Sequence, residues 1–263
     1  MSDKPYPLSK DQVAFFHENG FLAIDSITTA EEVESVRELY DQLFAAQVGR
    51  EKGDHFDLGG PDEEGQPSKL QQMLTPGRYA PEFTTLLCRR NALAAAKQLL
   101  GEETEDREDH AILKPAGVGA PTPWHQDESY WDPKFEYLTL SVWIPLQEAT
   151  LENGCMQFIP GSHRLEVLPH RPIGNDPRVH GLEVDVPIET DRAVACPIPA
   201  GGATFHLSRT LHYTGENRTN SPRRAYIITF GHPPKPYPGE RRFPWLEGRK
   251  TAREKRAAGN KEL

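Results

Sequence analysis

From His110 onward the chain is built of short β-rich runs separated by proline- and glycine-rich turns: Ala111–Lys114, Tyr137–Pro145, Met156–Ile159, Val194–Ile198, Ala203–His206 and Arg224–Phe230. Many short strands following a helical start predict a β-sandwich or barrel with helices packed outside, not a doubly wound α/β fold. The helical start carries its own punctuation. Ser9 with Gln12 forms a capping box, Leu8 and Val13 are placed as a hydrophobic staple, and Gly20 closes the helix. Phe21-Leu22-Ala23-Ile24 reads as a buried strand. Thr29 with Glu32 opens a second helix with an apolar stripe through Val33, Val36, Tyr40, Leu43 and Phe44. A third helix is expected from about Pro81 to Leu100, ended by Gly101. One domain is expected: a mainly helical flank over 1–109, an all-β core over 110–232 and a tail over 233–263.

Three segments read as peripheral. The acidic run Glu102 to Asp109 is expected to be a solvated loop after the third helix. The basic stretch from Arg249 to Lys261, with Arg253, Lys255 and Arg256, is expected to be a frayed, exposed tail. Gly49 to Pro67 is too long for a simple connection and is read as a disordered loop or a lid.

The net charge of −9 argues against a nucleic-acid footprint and against anionic membranes. No apolar run approaches membrane-spanning length, and Met1–Pro5 carries no apolar signal segment. Cys88, Cys155 and Cys196 are odd in number and lack Cys-x-x-Cys spacing, as expected of free thiols in a reducing, cytoplasmic setting.

The chemistry-bearing motif is Trp124-His125-Gln126-Asp127. In an extended segment His125 and Asp127 project to one side. Pro121 and Pro123 bar a helix there. One imidazole, one carboxylate and a second imidazole from a distant strand form the set that holds non-haem Fe(II) with open positions on one face. The third ligand is His206 or His212, close competitors on position alone. Oxygen activation at such iron needs a reductant, which a 2-oxo acid supplies when it chelates the metal. Its far carboxylate then calls for arginine. Arg223, eleven positions after His212, begins the next strand, and a hairpin would bring it near the site.

These residues resemble the phytanoyl-CoA dioxygenase-like Fe(II)/2-oxoglutarate oxygenases from about Lys69 to His232. The resemblance is carried by Trp124 to Asp127, by Leu151-Glu152-Asn153-Gly154-Cys155 with Ile159-Pro160-Gly161-Ser162-His163, and by Ser208 to His212 through Arg223-Arg224-Ala225. It implies a double-stranded β-helix (jelly-roll) core with flanking helices, with His125, Asp127 and His212 as iron ligands and Arg223 as partner of the 2-oxoglutarate C5 carboxylate. It further implies Thr214 as a hydroxyl near that carboxylate, Trp143 as a wall of the cosubstrate pocket and Lys69 as a polar contact. His163 is expected to order structure behind the site. His17, His55, His170, His180 and His232 are assigned no role.

The reading that follows is an Fe(II)- and 2-oxoglutarate-dependent dioxygenase. It would use O2, release succinate and CO2, and hydroxylate an unactivated C–H of a small molecule, with desaturation or ring closure open to the same radical. The rivals are a non-redox cupin-like isomerase and a metal-binding protein without turnover. The Arg223 spacing counts against the first and the intact triad against the second. Asp127 favours hydroxylation, because halogenating relatives replace this carboxylate. Trp124, Tyr130, Trp131 and Tyr137 suggest an apolar or aromatic-lined substrate pocket. The overall acidity disfavours a large polyanion unless a local basic patch overrides it.

Overall fold

The computed structural model describes residues 6–259, so the reading of Met1–Pro5 and the last residues of the basic stretch lie outside the described residues. In chain order the elements are α1 (Lys10–Asn19), β1 (Phe21–Ile24), α2 (Ala30–Ala45), β2 (His55–Asp57), β3 (Gln71–Leu74), α3 (Leu87–Leu100), β4 (Glu105–Lys114) and β5 (Thr122–His125). There follow β6 (Phe135–Glu136), β7 (Thr139–Pro145), β8 (Met156–Phe158), β9 (His170–Pro172), β10 (Leu182–Val184) and β11 (Val194–Cys196). The chain ends with β12 (Ala203–Leu207), β13 (His212–Thr214), β14 (Arg223–Gly231), β15 (Lys235–Pro236) and α4 (Ala252–Gly259).

Two sheets make the jelly roll. A large one runs β1-β12-β7-β14-β4-β3-β2 and a small one β11-β8-β13-β5. They do not share a hydrogen-bonded ladder that would close them into one barrel. Period-two alternation in the central strands decides which side chains meet the site. Along β14, Tyr226, Ile228 and Phe230 pack with α2 and α3, whereas Ala225 and Ile227 pack between the sheets. Along β7, Leu140, Val142 and Ile144 face the helices and Trp143 faces inward. The inward set is thus Ser141, Trp143, His206, Arg223 and Ile227, all lining one internal cavity.

Both predicted helix caps form. Ser9 accepts from Gln12 N with the reciprocal bond present, and Thr29 accepts from Glu32 N at 3.2 Å. The third helix is shorter than expected. Pro81–Thr84 is a separate 3-10 turn, and α3 starts only at Leu87. Its N-cap residue, Leu86, has no side-chain acceptor. Glu32 of α2 supplies it, accepting from Leu87 N at 2.5 Å and Cys88 N at 2.8 Å. A carboxylate at a helix N-terminus satisfies orphan donors and meets the positive end of the helix dipole.

The segments expected to be peripheral are structural. The acidic run is not a loop, because Glu105 onward is strand β4. Arg89 of α3 makes this possible by pairing with Asp106 at 2.6 Å and Asp109 at 2.9 Å. Gly49–Pro67 is a structured segment. It contains β2, and Asp57 accepts from Gly59, Lys69 and Leu70 N–H groups, each at 3.0 Å. The basic stretch is not a frayed tail either. Thr251 and Glu254 cap α4 reciprocally, at 2.8 and 3.4 Å, Arg256 pairs with Asp62, and Arg253 stacks over Phe56 at 5.1 Å. Gly53 lets α4 approach this closely, since a Cβ there would lie 2.6 Å from the Arg253 carbonyl. No helix among the described residues is long and apolar enough to cross a membrane.

The Glu32 contact is testable. Glu32→Ala should leave two N-terminal donors of α3 without their acceptor and lower the unfolding free energy by about 1–3 kcal/mol, measured by urea denaturation. An unchanged midpoint would mean that water serves those donors equally well.

Candidate metal centre

Strand β13 pairs antiparallel with β5, and His212 stands directly opposite His125. Their ring centroids are 4.0 Å apart. Each ring is held by its own chain two residues back. His125 Nδ1 meets the Pro123 carbonyl at 2.8 Å, and His212 Nδ1 meets the Thr210 carbonyl at 2.8 Å. A carbonyl only accepts, so Nδ1 carries the proton in both rings and Nε2 presents a lone pair. Asp127 follows β5 as its chain turns away. Its Oδ1 lies 3.3 Å from His212 Nε2 and 3.7 Å from His125 Nε2. One donor atom from each of the three residues falls within 4.8 Å of the others. Bonds of ~2.1 Å at right angles separate donors by about 3 Å, so a small inward shift of these side chains would complete a facial site.

Asp127 is also held from behind. Its Oδ2 accepts from Ser141 Oγ at 2.7 Å and meets His206 Nε2 at 3.3 Å. Burial alone would raise its pKa, but His212 and His206, when protonated, outweigh this and hold it well below the usual carboxylate range. His125 is held well below the ordinary histidine value, by burial first and then by His212. Both directions favour the forms that ligate a cation. His206, the competing candidate, meets the carboxylate from strand interior, and the group whose donor atoms lie within 4.8 Å of one another is His125, Asp127 and His212.

The residue between His125 and Asp127 anchors the turn. Gln126 is fully buried and donates to the Glu166 and Arg209 carbonyls, and its Oε1 accepts from Leu168 N at 2.7 Å. Its backbone N–H donates to His170 Nε2 at 3.2 Å, so His170, assigned no role from sequence, helps to fix the motif. Glu128, also fully buried, binds Arg209 at 2.9 Å and Arg241 at 2.8 Å.

On the far side of the cavity lies Arg223, 1% exposed. Its Nε and Nη1 have no hydrogen-bond partner among the described residues. Burial pushes its pKa down to about 10. Its guanidinium carbon sits 5.4 Å from the Trp143 ring, and Thr214, whose hydroxyl donates to Thr122 Oγ1 at 3.0 Å, lines the same end. The expected hairpin is not what brings it there. β13 belongs to the small sheet and β14 to the large one, so Arg223 reaches the cavity from the facing sheet. Lys114, which sequence reasoning missed, is fully buried and donates to the Thr214 and Gly215 carbonyls at 3.2 and 2.5 Å. Gly154 packs on that turn, because a Cβ there would lie 2.4 Å from the Gly215 carbonyl. Lys69, expected as a polar contact, is exposed and does not line the cavity, whereas Gln72 of β3 does. Ser162, not His163, ties the Pro-Gly-Ser-His turn to the site, its Oγ accepting from Leu211 N at 2.9 Å.

The cavity measures about 540 Å³. Tyr130 and Trp131 line it as expected. Trp124 instead stacks on Tyr213 at 5.4 Å, and Tyr137 packs against Trp131 at 4.8 Å. His180, Arg249 and Arg253 also line it, which the sequence reading did not anticipate.

Two outcomes follow. His212→Ala should abolish tight Fe(II) binding, whereas His206→Ala should retain measurable binding, as read by anaerobic Fe(II) titration. The reverse pattern would move the third ligand to His206. Burial also pushes His170 down to about 4 and His180 down to about 3. In the unfolded chain both return to ~6.5. Their stabilising contribution is therefore complete above pH ~6.5 and is lost as pH falls below it, because the unfolded state takes up protons first. Denaturation of the metal-free protein between pH 7.5 and 5 should show stability falling with pH, with a smaller slope in His180→Phe. An identical slope in that variant would mean that His180 is already protonated when folded.

Comparison with known proteins places the chain in a family. Residues 16–225 match the phytanoyl-CoA dioxygenase (PhyH) family. A probable alpha-ketoglutarate-dependent hypophosphite dioxygenase of Stutzerimonas stutzeri is 27% identical over 84% of this chain and 77% of its own length. The ectoine dioxygenase of Sphingopyxis alaskensis is 25% identical over 93% of this chain and 84% of its own. Among solved structures, EvdO2 from Micromonospora carbonacea var. aurantiaca, complexed with 2-oxoglutarate, is 36% identical, with a TM-score of 0.79 over 94% of this chain and 100% of its own. The alpha-ketoglutarate-dependent carbocyclase SnoK, at 24% identity and a TM-score of 0.68 over 88% of this chain and 87% of its own, shares the fold. The chain belongs to the phytanoyl-CoA dioxygenase family and is a 2-oxoglutarate-dependent non-haem iron dioxygenase.

Proposed function

We propose that this dioxygenase hydroxylates an unactivated C–H bond of a small organic molecule, with His125, Asp127 and His212 as iron ligands and Arg223 as anchor of the 2-oxoglutarate C5 carboxylate. The observation that carries this reading is the buried Arg223 guanidinium, with two atoms lacking partners, facing the same cavity as the triad. A buried charged donor without an acceptor is costly. A dicarboxylate that chelates the metal with one end and meets Arg223 with the other removes that cost. Iron with 2-oxoglutarate and O2 supplies the oxidation of the cosubstrate to succinate and CO2 and an oxidant able to take hydrogen from carbon.

The chain's own residues bind and orient. The Thr214 and Thr122 hydroxyls stand beside Arg223's end of the cavity, and the Trp143 indole forms its wall. Ser141 and His206 keep the Asp127 carboxylate turned toward the two imidazoles. Asp127 as the third ligand favours hydroxylation over halogenation, since it leaves no ligand position free for a halide. Leu74, Trp131 and Leu246 give the remaining cavity wall an apolar surface that excludes water from a reactive centre. These walls and Tyr130 favour a partly apolar or aromatic substrate. Relatives named for hypophosphite and ectoine support a small molecule over a macromolecule. The three buried free thiols, Cys88, Cys155 and Cys196, suit the reducing cytoplasm.

Fe(II)-loaded protein should convert 2-oxoglutarate to succinate and CO2, and faster when a true substrate is present. Arg223→Leu should weaken 2-oxoglutarate about ten- to hundredfold while Fe(II) affinity stays near that of the wild type. Equal 2-oxoglutarate affinity in the two proteins would remove Arg223 from the site.

A further inference from the structure

The end of the cavity formed by the C-terminal segment carries a second set of unmet donors, separate from Arg223. Arg249 and Arg253 both line it. The Arg253 side chain forms no hydrogen bond among the described residues; it stacks over Phe56 at 5.1 Å, and its Nε is buried without a partner. Arg249 commits Nη2 to the Val179 and His180 carbonyls, at 3.0 and 2.5 Å, and its Nε is likewise unpartnered. His180 Nδ1 has no hydrogen bond, its nearest acidic neighbour being Glu254 at 3.9 Å.

The local acids offset only part of the charge of this cluster. Glu254 lines the cavity, its Oε2 accepting from Thr251 N at 2.8 Å and its Oε1 3.9 Å from His180 Nδ1, so its single negative charge faces two guanidinium groups. Asp54 is held by Arg78 at 2.6 Å and Tyr79 at 2.7 Å. Glu108, which also lines the cavity, stands on β4.

A row of rings connects this cluster to the triad. His125 meets Tyr130 at 6.2 Å, Tyr130 meets His180 at 6.3 Å, and His180 meets Phe56 at 5.0 Å, beneath Arg253. We infer that Arg249 and Arg253 bind a carboxylate at the far end of the substrate, whose apolar or aromatic body lies along these rings with the reacting carbon near the triad. This rests on reading the cavity as the substrate chamber of the oxygenase. A planar carboxylate matches the guanidinium fork and supplies the missing acceptors. The substrate would then be an amphipathic acid, not a neutral hydrocarbon.

The probes are 3-phenylpropanoate and its neutral isostere 3-phenylpropanamide, titrated calorimetrically into the full chain. One titration uses metal-free protein, and another follows Zn(II) and N-oxalylglycine, which fill the triad end. The carboxylate should bind in both, at least about tenfold tighter than the amide. Arg253→Gln should reduce its affinity to near that of the amide, Arg253→Lys should recover part of the loss, and Lys255→Gln on the exposed side of α4 should change nothing. The recovery by lysine distinguishes lost charge recognition from a collapsed helix. Carboxylate binding that is absent at millimolar concentration, equal to that of the amide, or lost in Arg223→Leu but kept in Arg253→Gln would overturn the inference. Failure of N-oxalylglycine to bind, with Arg253-dependent selectivity retained, would instead count against the oxygenase reading alone.

Discussion

Two imidazoles placed opposite each other across an antiparallel strand pair are the constraint on which this structure turns. His212 of β13 faces His125 of β5 in the small sheet, and backbone carbonyls fix the tautomer of each. Putting Asp127 beside them requires the chain to turn immediately after β5. Much of the surrounding polar structure serves that turn: Gln126 stitched to three backbone groups, Glu128 buried between Arg209 and Arg241, and His170 accepting from the Gln126 N–H. Each of these groups would be costly to bury alone and is acceptable only because its partners are present.

The large sheet contributes in a different way. Its helix-facing side is apolar and packs with α1, α2 and α3, which secures β7, β12 and β14 in place. With that face providing stability, the inner face can carry groups that cost stability, notably the unpartnered Arg223 and the buried Lys114. Stability and function are thus divided between the two faces of the same strands by period-two alternation. Cavity shape follows from the C-terminal segment and Gly49–Pro67, which meet through Arg256 with Asp62 and Arg253 with Phe56. The two pack against each other along one side of the cavity.

Local signals were readable from the sequence and distant ones were not. The Ser9 and Thr29 caps are written within four residues, and the extended backbone at Gln126 keeps His125 and Asp127 on one side although the strand ends at His125. Thr251-Ala252-Arg253-Glu254 carries the same capping signature, yet its basic composition and terminal position suggested a tail. The break before α3 depends on Glu32, fifty-five positions upstream of the amide it caps, which no local pattern reveals. Arg223 does line the cavity, but not through a hairpin, since β13 and β14 lie in facing sheets. Lys69 was carried over from a family pattern, and strand β3 directs Gln72 to the cavity instead. His180 lacked any sequence partner because its neighbours, Phe56, Tyr130 and Glu254, come from three separate segments.

The central claim is that the triad and Arg223 act as one binding unit, with a metal at one end and a guanidinium at the other. Anaerobic addition of Fe(II) and 2-oxoglutarate to the metal-free protein, followed by visible absorption, tests it most directly. A weak charge-transfer band should appear only when both are present, and Asp127→Ala should abolish it. Binding of 2-oxoglutarate with equal affinity in the presence and absence of metal would contradict the account, because the cosubstrate would then not be chelated at the triad.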